Sequence, residues 1–395
     1  MALGNLIINT TMPRGLARSE NAAAAPITIT GVGDIMLDQR VRPPRIFYHF
    51  PDISLSPGMP LAPVGIPFAN TETSVRWLES LGRSAADVLS SAHAYISIAN
   101  PAGVIDDVDF PFMGVNGLLA EPDIVVANLE CPLTTRRRRY NNDTCYAASP
   151  DYAAALARAG IDVVSLANNH CFDYGEGGFD DTLTALRGAA VGVIGAGATL
   201  EEARTPLMLE RGGHRLAFLA YTMIGAPHIF ATADESGVAP FNPLVVAEDV
   251  GRAKETADLV IVSVHWGKEN DPVPSHRIVE LAHDAIDVGA DVVYGHHPHV
   301  PGAVEIYQGR PIFYSLGNFI FGHTHREWST NIAATVSFRH GALETVRITP
   351  LVGHFGPAIA TGPAAEHCLG RLEFASRGFG TRLVPDGGSA IVSSS

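Results

Sequence analysis

The chain has 395 residues, 46% hydrophobic and 17% charged, with 39 glycines and a formal net charge of −14. That is enough apolar material for one large core or two smaller ones, and the glycine content suits an α/β protein with many tight turns. The acidic balance argues against a nucleic-acid partner, which needs a basic face, and four cysteines without a CxxC pair argue against a thiolate zinc site.

The N-terminal stretch 1–26 contains an apolar run shorter than the core of a signal peptide, and reads as a loose leader. No stretch approaches the ~18–20 apolar residues of a membrane span, so a soluble, cytoplasmic protein without membrane insertion is expected. "ITITGVGDIMLD" (27–38) predicts a buried strand ending at Gly33-Asp34. A Pro-rich insertion at about 41–70 follows, read either as a substrate loop or as a surface loop packed by its own aromatics. Helical spacing marks 71–96, and "DIVVANLE" (123–130) is a second buried strand. A helix opens at Ser149-Pro150 and closes at Gly160. "IDVVSLANNH" is the third strand, followed by a helix and the strand "VGVIGAG".

Further on, 207–222 is a hairpin turning at Gly-Gly, 257–267 a strand, 274–290 a helix, and 291–300 begins as a strand. A second hairpin turns at Gln308-Gly309, more antiparallel strand follows, and a helix near 363–376 precedes a C-terminal tail over 381–395. Alternating strands and helices followed by hairpins imply an α/β fold with a mixed sheet or two stacked sheets and helices outside. A single domain over 27–380 is expected.

Polar residues collect where apolar strands end. They are Asp34; Asn128 with Glu130; Asn169, His170 and Asp173; His265; and His296, His297 and His299. In α/β sheets, ligand sites lie at the carboxyl ends of strands. One such ending is readily a hydrogen-bonded turn; five of the same kind are hard to explain that way. Carboxylate, amide oxygen and several imidazoles suit a divalent ion of the Mn, Zn, Fe or Ni class rather than Ca. The donors outnumber the needs of one tetrahedral ion, and two ions sharing a bridging carboxylate fit better.

"GDIML", "NLECPL", "LANNHCFDYG", "HWGKE", "GHHPHV" and "YSLGNFIF", in this order, resemble the CapA family of capsule and poly-γ-glutamate synthesis proteins. That family is similar to the calcineurin-like metallophosphoesterases, which implies an α/β/β/α sandwich of two stacked mixed sheets flanked by helices. The resemblance covers roughly 27–40 and 120–325. It implies Asp34, Glu130, Asn169, His265, His297 and His299 as metal ligands for one or two divalent ions. Glu130 stands where a bridging aspartate is usual, and His170 would face substrate as acid or electrostatic stabiliser. The first phosphoesterase block is Asp-x-His, but Met36 holds the histidine's place here, and the second block lacks its Gly-Asp start.

"GHHPH" (295–299) and "FGHTH" (321–325) both have the form Gly-His-x-His; the first follows a buried strand directly and takes the ligand assignment. His323 and His325 are left either to line the pocket or to form a polar loop. Asp38 is a metal ligand or a group that orients one, and Asp173 and Glu269 are expected to orient ligating histidines. Arg136 opens an arginine run that is either a solvated loop or a clamp for substrate carboxylates or phosphates.

Four readings follow. The resemblance implies metal-assisted acid/base chemistry on a carboxylate-bearing peptide or γ-glutamyl substrate. Peptide epimerisation by α-proton abstraction is the second, with His170, His296 and Asp34 as acid/base candidates. Phosphoester hydrolysis and a non-catalytic scaffold are the others.

Overall fold

The computed structural model describes residues 25–38, 108–136, 145–322 and 329–394. The Pro-rich insertion, the expected helix at 71–96, Arg137 to Arg139, His323 and His325 lie outside these residues, as does nearly all of the expected leader.

β1 (Ile27–Met36), β2 (Ile124–Leu129), β3 (Val163–Ser165) and β4 (Gly192–Ile194) run parallel. Next come β5 (Ala196–Gly197), the hairpin of β6 (Leu207–Arg211) and β7 (His214–Thr222), and β8 (Gly237–Val238), which pairs back to β5. β9 (Leu259–His265) and β10 (Val292–His296) are parallel neighbours, and β11 (Val304–Tyr307) and β12 (Arg310–Phe313) form a hairpin. β13 (Asn318–Phe321) returns to pair with β1. The chain closes with β14 (Thr330–Arg339), β15 (Ala342–Val352), β16 (Ala358–Ile359), β17 (Thr381–Asp386) and β18 (Ser389–Ser394).

These strands form two large mixed sheets. The first has the order β17-β18-β15-β14-β1-β2-β3-β4, with β13 beside β1 and β16 beside β15; the second has the order β11-β12-β10-β9-β7-β6. Tyr294 shows how they stack. Its ring on β10 fills the space above Gly31 of β1, where a Cβ would lie 2.4 Å away. Its hydroxyl donates to the Ile29 carbonyl at 3.3 Å. Side chains alternate along a strand, so His296 emerges on the same inward face as Tyr294, and His265 on the same face as Ile261. The outward residues Val260, Val262 and Val264 join the apolar sides of two helices instead.

Those helices are Pro243–Lys254 and His276–Asp287. The second was expected from its spacing: Ser275 caps it through the Ile278 N–H, and Ile278, Leu281, Ala282, Ala285 and Ile286 are buried. The first was not among the expected elements. Its signal was Asn242-Pro243, an N-cap followed by proline at the first turn, and Val246, Val250 and Ala253 form its buried stripe. Helices Tyr152–Ala159 and Gly175–Gly188 pack with the first sheet through Leu156, Phe179 and Leu186. The fold is thus the expected α/β arrangement of two mixed sheets flanked by helices.

The expected C-terminal tail over 381–395 is instead paired strand over 381–394. Gly387 and Gly388 both take positive φ, 59° and 93°, and turn the chain into the hairpin of β17 and β18. β18 then pairs with β15, and Ala390 and Val392 are buried. The small-residue composition hid a strand whose partner is some forty positions earlier.

The backbone crosses itself closely beside the strand ends. A Cβ on Gly33 would sit 2.0 Å from the Gly317 carbonyl oxygen, which also accepts the Asp34 N–H at 2.9 Å. Gly33→Ala is therefore expected to cost about 1–3 kcal/mol through overpacking. A denaturation midpoint equal to the parent's would contradict this close approach.

Candidate metal centre

The polar endings converge at one end of the sandwich. Register places Asp34 opposite both Asn128 and Asn318 in the first sheet, and His265 opposite His296 in the second. Asp34 is fully buried and accepts from both sheets. Asn128 Nδ2 donates to Oδ1 at 2.9 Å, and His296 Nδ1 lies 2.9 Å from the same oxygen. The His297 backbone N–H donates to Oδ2 at 3.3 Å, and His299 Nδ1 is 3.4 Å from it. Burial alone would raise this carboxyl's pKa; the hydrogen bonds and charges of His296 and His299 reverse that and hold it well below the usual carboxylate range.

Glu130 is the opposite case. It is equally buried, yet neither carboxyl oxygen has a hydrogen-bond partner among the described residues. Burial first, and the Asp34 charge second, push its carboxyl well above the ordinary range. Its nearby nitrogens are His265 Nε2 at 3.6 Å and His299 Nε2 at 4.0 Å. A carboxylate without donors is expensive in the interior and becomes economical only beside a cation.

Two donor groups share this residue. Ligand atoms of Glu130, His265 and His297 lie within 4.8 Å of one another, and so do those of Asp34, Glu130 and His299. Asn169 adds an amide oxygen to the first group, 2.7 Å from His265 Nε2. His297 Nδ1 is buried and, like the Glu130 oxygens, has no hydrogen-bond partner among the described residues. Imidazoles, carboxylates and an amide oxygen with orphaned buried lone pairs fit a divalent ion. The backbone is bent to this end: His297 and His299, flanking Pro298, take φ of 95° and 60°. Such conformations cost about 1–3 kcal/mol each in non-glycine residues and collect at functional sites.

All six expected ligands therefore come together. The other candidates separate by position. His296 is enclosed against Asp34 and joins neither group, so it positions that carboxylate rather than serving as a substrate acid/base group. Asn128 does likewise, and its own Oδ1 accepts from Asn168 Nδ2 at 3.0 Å. His170 stands at the partly open rim, with Nδ1 2.9 Å from Asp173 Oδ2 and its ring tilted over Tyr146 at 4.8 Å. Glu269 is exposed on the rim, where its charge acts on His297, His299 and Glu130. Asp38 is buried but outside both groups; its Oδ2 accepts the Ala147 N–H at 3.0 Å and ties down that segment. Arg136 forks onto Asp181 at 2.8 and 3.0 Å, an exposed pair with the helix Gly175–Gly188.

Sequence reading missed Asn168, Asn318 and Tyr146. Asn168 sits beside Asn169 in the same motif, and its amide bridges Asn128 Oδ1 and the Leu129 carbonyl. Asn318 lies in the "YSLGNFIF" stretch, another polar residue between apolar ones.

A two-sheet α/β sandwich with a buried His/Asp/Glu cluster at the carboxyl ends of its strands defines an α/β protein with a candidate metal centre. The chain belongs to the family described as bacterial capsule synthesis protein PGA_cap, which matches residues 28–323. It is 33% identical over 251 residues to the capsule biosynthesis protein CapA of Bacillus anthracis, covering 62% of this chain and 61% of that protein. It is 34% identical over 216 residues to the PGA biosynthesis protein CapA of Bacillus subtilis, covering 54% and 57% respectively. The matches span about three-fifths of the length of these relatives. Among solved structures, the calcineurin-like phosphoesterase YfkN from Bacillus subtilis aligns over 85% of this chain and 88% of that one, with TM-score 0.40 and 12% identity.

Burial, then the charge of His299, pulls the His297 imidazole down to about 4. The unfolded chain, with an ordinary histidine near about 6.5, takes up this proton first. Metal-free protein should therefore lose on the order of 1–3 kcal/mol from this residue as pH falls between those values. Urea titrations at stepped pH would check it: the slope should be shallower in His297→Gln, and equal slopes would refute the assignment.

Proposed function

We propose that this protein is a metal-dependent enzyme acting on a carboxylate-bearing peptide or γ-glutamyl-type substrate, in support of poly-γ-glutamate synthesis. The observation that carries the reading is Glu130: a buried carboxylate without donors among the described residues, common to two groups of ligand atoms. Family membership and the similarity to capsule and PGA biosynthesis proteins point to the substrate class.

Glu130, Asn169, His265 and His297 would hold one divalent ion, and Asp34, Glu130 and His299 a second. Ions bound there would polarise a substrate carbonyl or hold a carboxylate oxygen. The remaining chemistry belongs to the chain. Asp34 fixes the loop 296–299 through a side chain and a backbone N–H. Asp173 holds His170 by Nδ1, which orients the ring and leaves Nε2 to move a proton at the rim. The Tyr146 hydroxyl stays protonated over the working range, because burial and then the Asp173 charge push it to about 12. It serves as a hydrogen-bond donor beside His170.

Protein purified without chelator is expected to carry at least about one divalent ion per chain by elemental analysis. Its activity on γ-glutamyl peptides should fall about 10²–10⁴-fold in His170→Gln, with metal content unchanged. A metal-free wild-type protein would overturn the reading. Label entering the α-position from heavy water without cleavage would shift the chemistry to epimerisation at the same site.

A further inference from the structure

The segment Ser315 to Asn318 is not accounted for by either donor group, yet it is hydrogen-bonded along its length, to the residues flanking the histidine loop and to β1 and β14. Ser315 Oγ donates to the Val300 carbonyl at 2.7 Å, and the Leu316 N–H to the Gly295 carbonyl at 3.1 Å. Gly317 accepts the Asp34 N–H, and the Asn318 N–H donates to Asn331 Oδ1 at 2.7 Å. Gly317 leaves room for that last contact: a Cβ there would lie 2.5 Å from Asn331 Oδ1. The backbone of Asn318 is thus fixed from two strands before its side chain is considered.

That side chain reaches His299. Asn318 Oδ1 lies 2.9 Å from His299 Nδ1, and the second neighbour of this nitrogen, Asp34 Oδ2 at 3.4 Å, is also an acceptor. A ring nitrogen between two acceptors carries the hydrogen. The other nitrogen, Nε2, then keeps its lone pair, and it is the one turned toward Glu130 Oε1. Asn318 is itself buried, and its Nδ2 has no partner among the described residues. An apolar residue of similar shape would avoid that loss, so packing alone gives no reason for an asparagine at this position.

We propose that Asn318 is a positioning residue that sets the tautomer of His299, holding hydrogen on Nδ1 so that Nε2 is the nitrogen offered to the Asp34–Glu130–His299 group. The assignment of a metal to that group rests on the function proposed above; the tautomer does not. Asn331 and Gly317 act one step further out, by fixing where the Asn318 amide stands. The opposite amide orientation would place an N–H against Nδ1 and force hydrogen onto Nε2, pointing it at Glu130.

The test uses full-length, chelator-treated protein labelled with ¹⁵N-histidine, at alkaline pH where the rings are neutral. Long-range correlations should show His299 as the Nδ1–H tautomer in the wild type and in Asn318→Asp, which keeps an acceptor. Asn318→Leu should show the other tautomer or a mixture. An Nε2–H wild-type ring, or an unchanged ring in Asn318→Leu, overturns the proposal whether or not metal binds. Mn²⁺ titration supplies a second readout. The weaker of two binding steps should drop about 10–100-fold in Asn318→Leu and recover in Asn318→Asp, with the tighter step unmoved. The correct tautomer pattern with no Mn²⁺ uptake by any variant would leave Asn318's role standing and remove the metal reading.

Discussion

One carboxylate joins the two sheets. Asp34 ends the inner strand of the first sheet and accepts hydrogen bonds from Asn128 beside it and from His296 and His297 across the gap. A buried, ionised carboxylate costs several kcal/mol in desolvation. That cost is recovered only when its lone pairs are filled, and here both oxygens are engaged. The same contacts fix the mouth of the sandwich: moving β10 relative to β1 would break a side-chain and a backbone hydrogen bond together. His297 and His299 are both tied to this one residue, which links the donors on that loop to the first sheet.

Glu130 depends on that arrangement and completes it. Asp34 is held ionised by its partners, so its charge falls on Glu130, whose oxygens have no hydrogen-bond donor among the described residues. Two acidic groups side by side in an interior are unstable unless positive charge is supplied. The described residues supply it at Asp34, through imidazoles, and leave Glu130 open toward His265, His297 and His299. The loop 296–299 pays in backbone strain for bringing two of those nitrogens to the same point. Strain, unpaired lone pairs and converging donors at a single place are three independent signs of one site.

Much of this was legible in the sequence, because period and polarity act locally. An apolar strand that ends in Asp, Asn or His announces both its buried body and its polar end, and the six residues that the resemblance implies as ligands all lie among five such endings. What was not legible depends on contacts between distant segments. His296 and His297 are adjacent, yet alternation turns His296 inward onto Asp34, and the turn at positive φ brings His297 to Glu130 instead. Asn318 looked like any strand asparagine until register set it beside Asp34. The hairpin at 381–394 was missed because most residues of its second strand, β18, are small and the partner of that strand lies on β15.

The two donor groups are unequal among the described residues, and Met36 is one mark of it in the sequence. It stands where the resemblance implies a histidine, and it is fully buried, with its carbonyl accepting the Gly322 N–H at 2.9 Å. A thioether in the core is a poor ligand for ions that prefer oxygen and imidazole. Among the described residues, the Glu130–His265–His297 group gains the Asn169 oxygen and has four donors; the group containing His299 has three, and one of these is Asp34, whose oxygens already serve His296 and the His297 N–H. Ligand count and ligand availability point the same way. The four-donor group is where affinity would reside. In the three-donor group the orientation of His299 by Asn318 matters most.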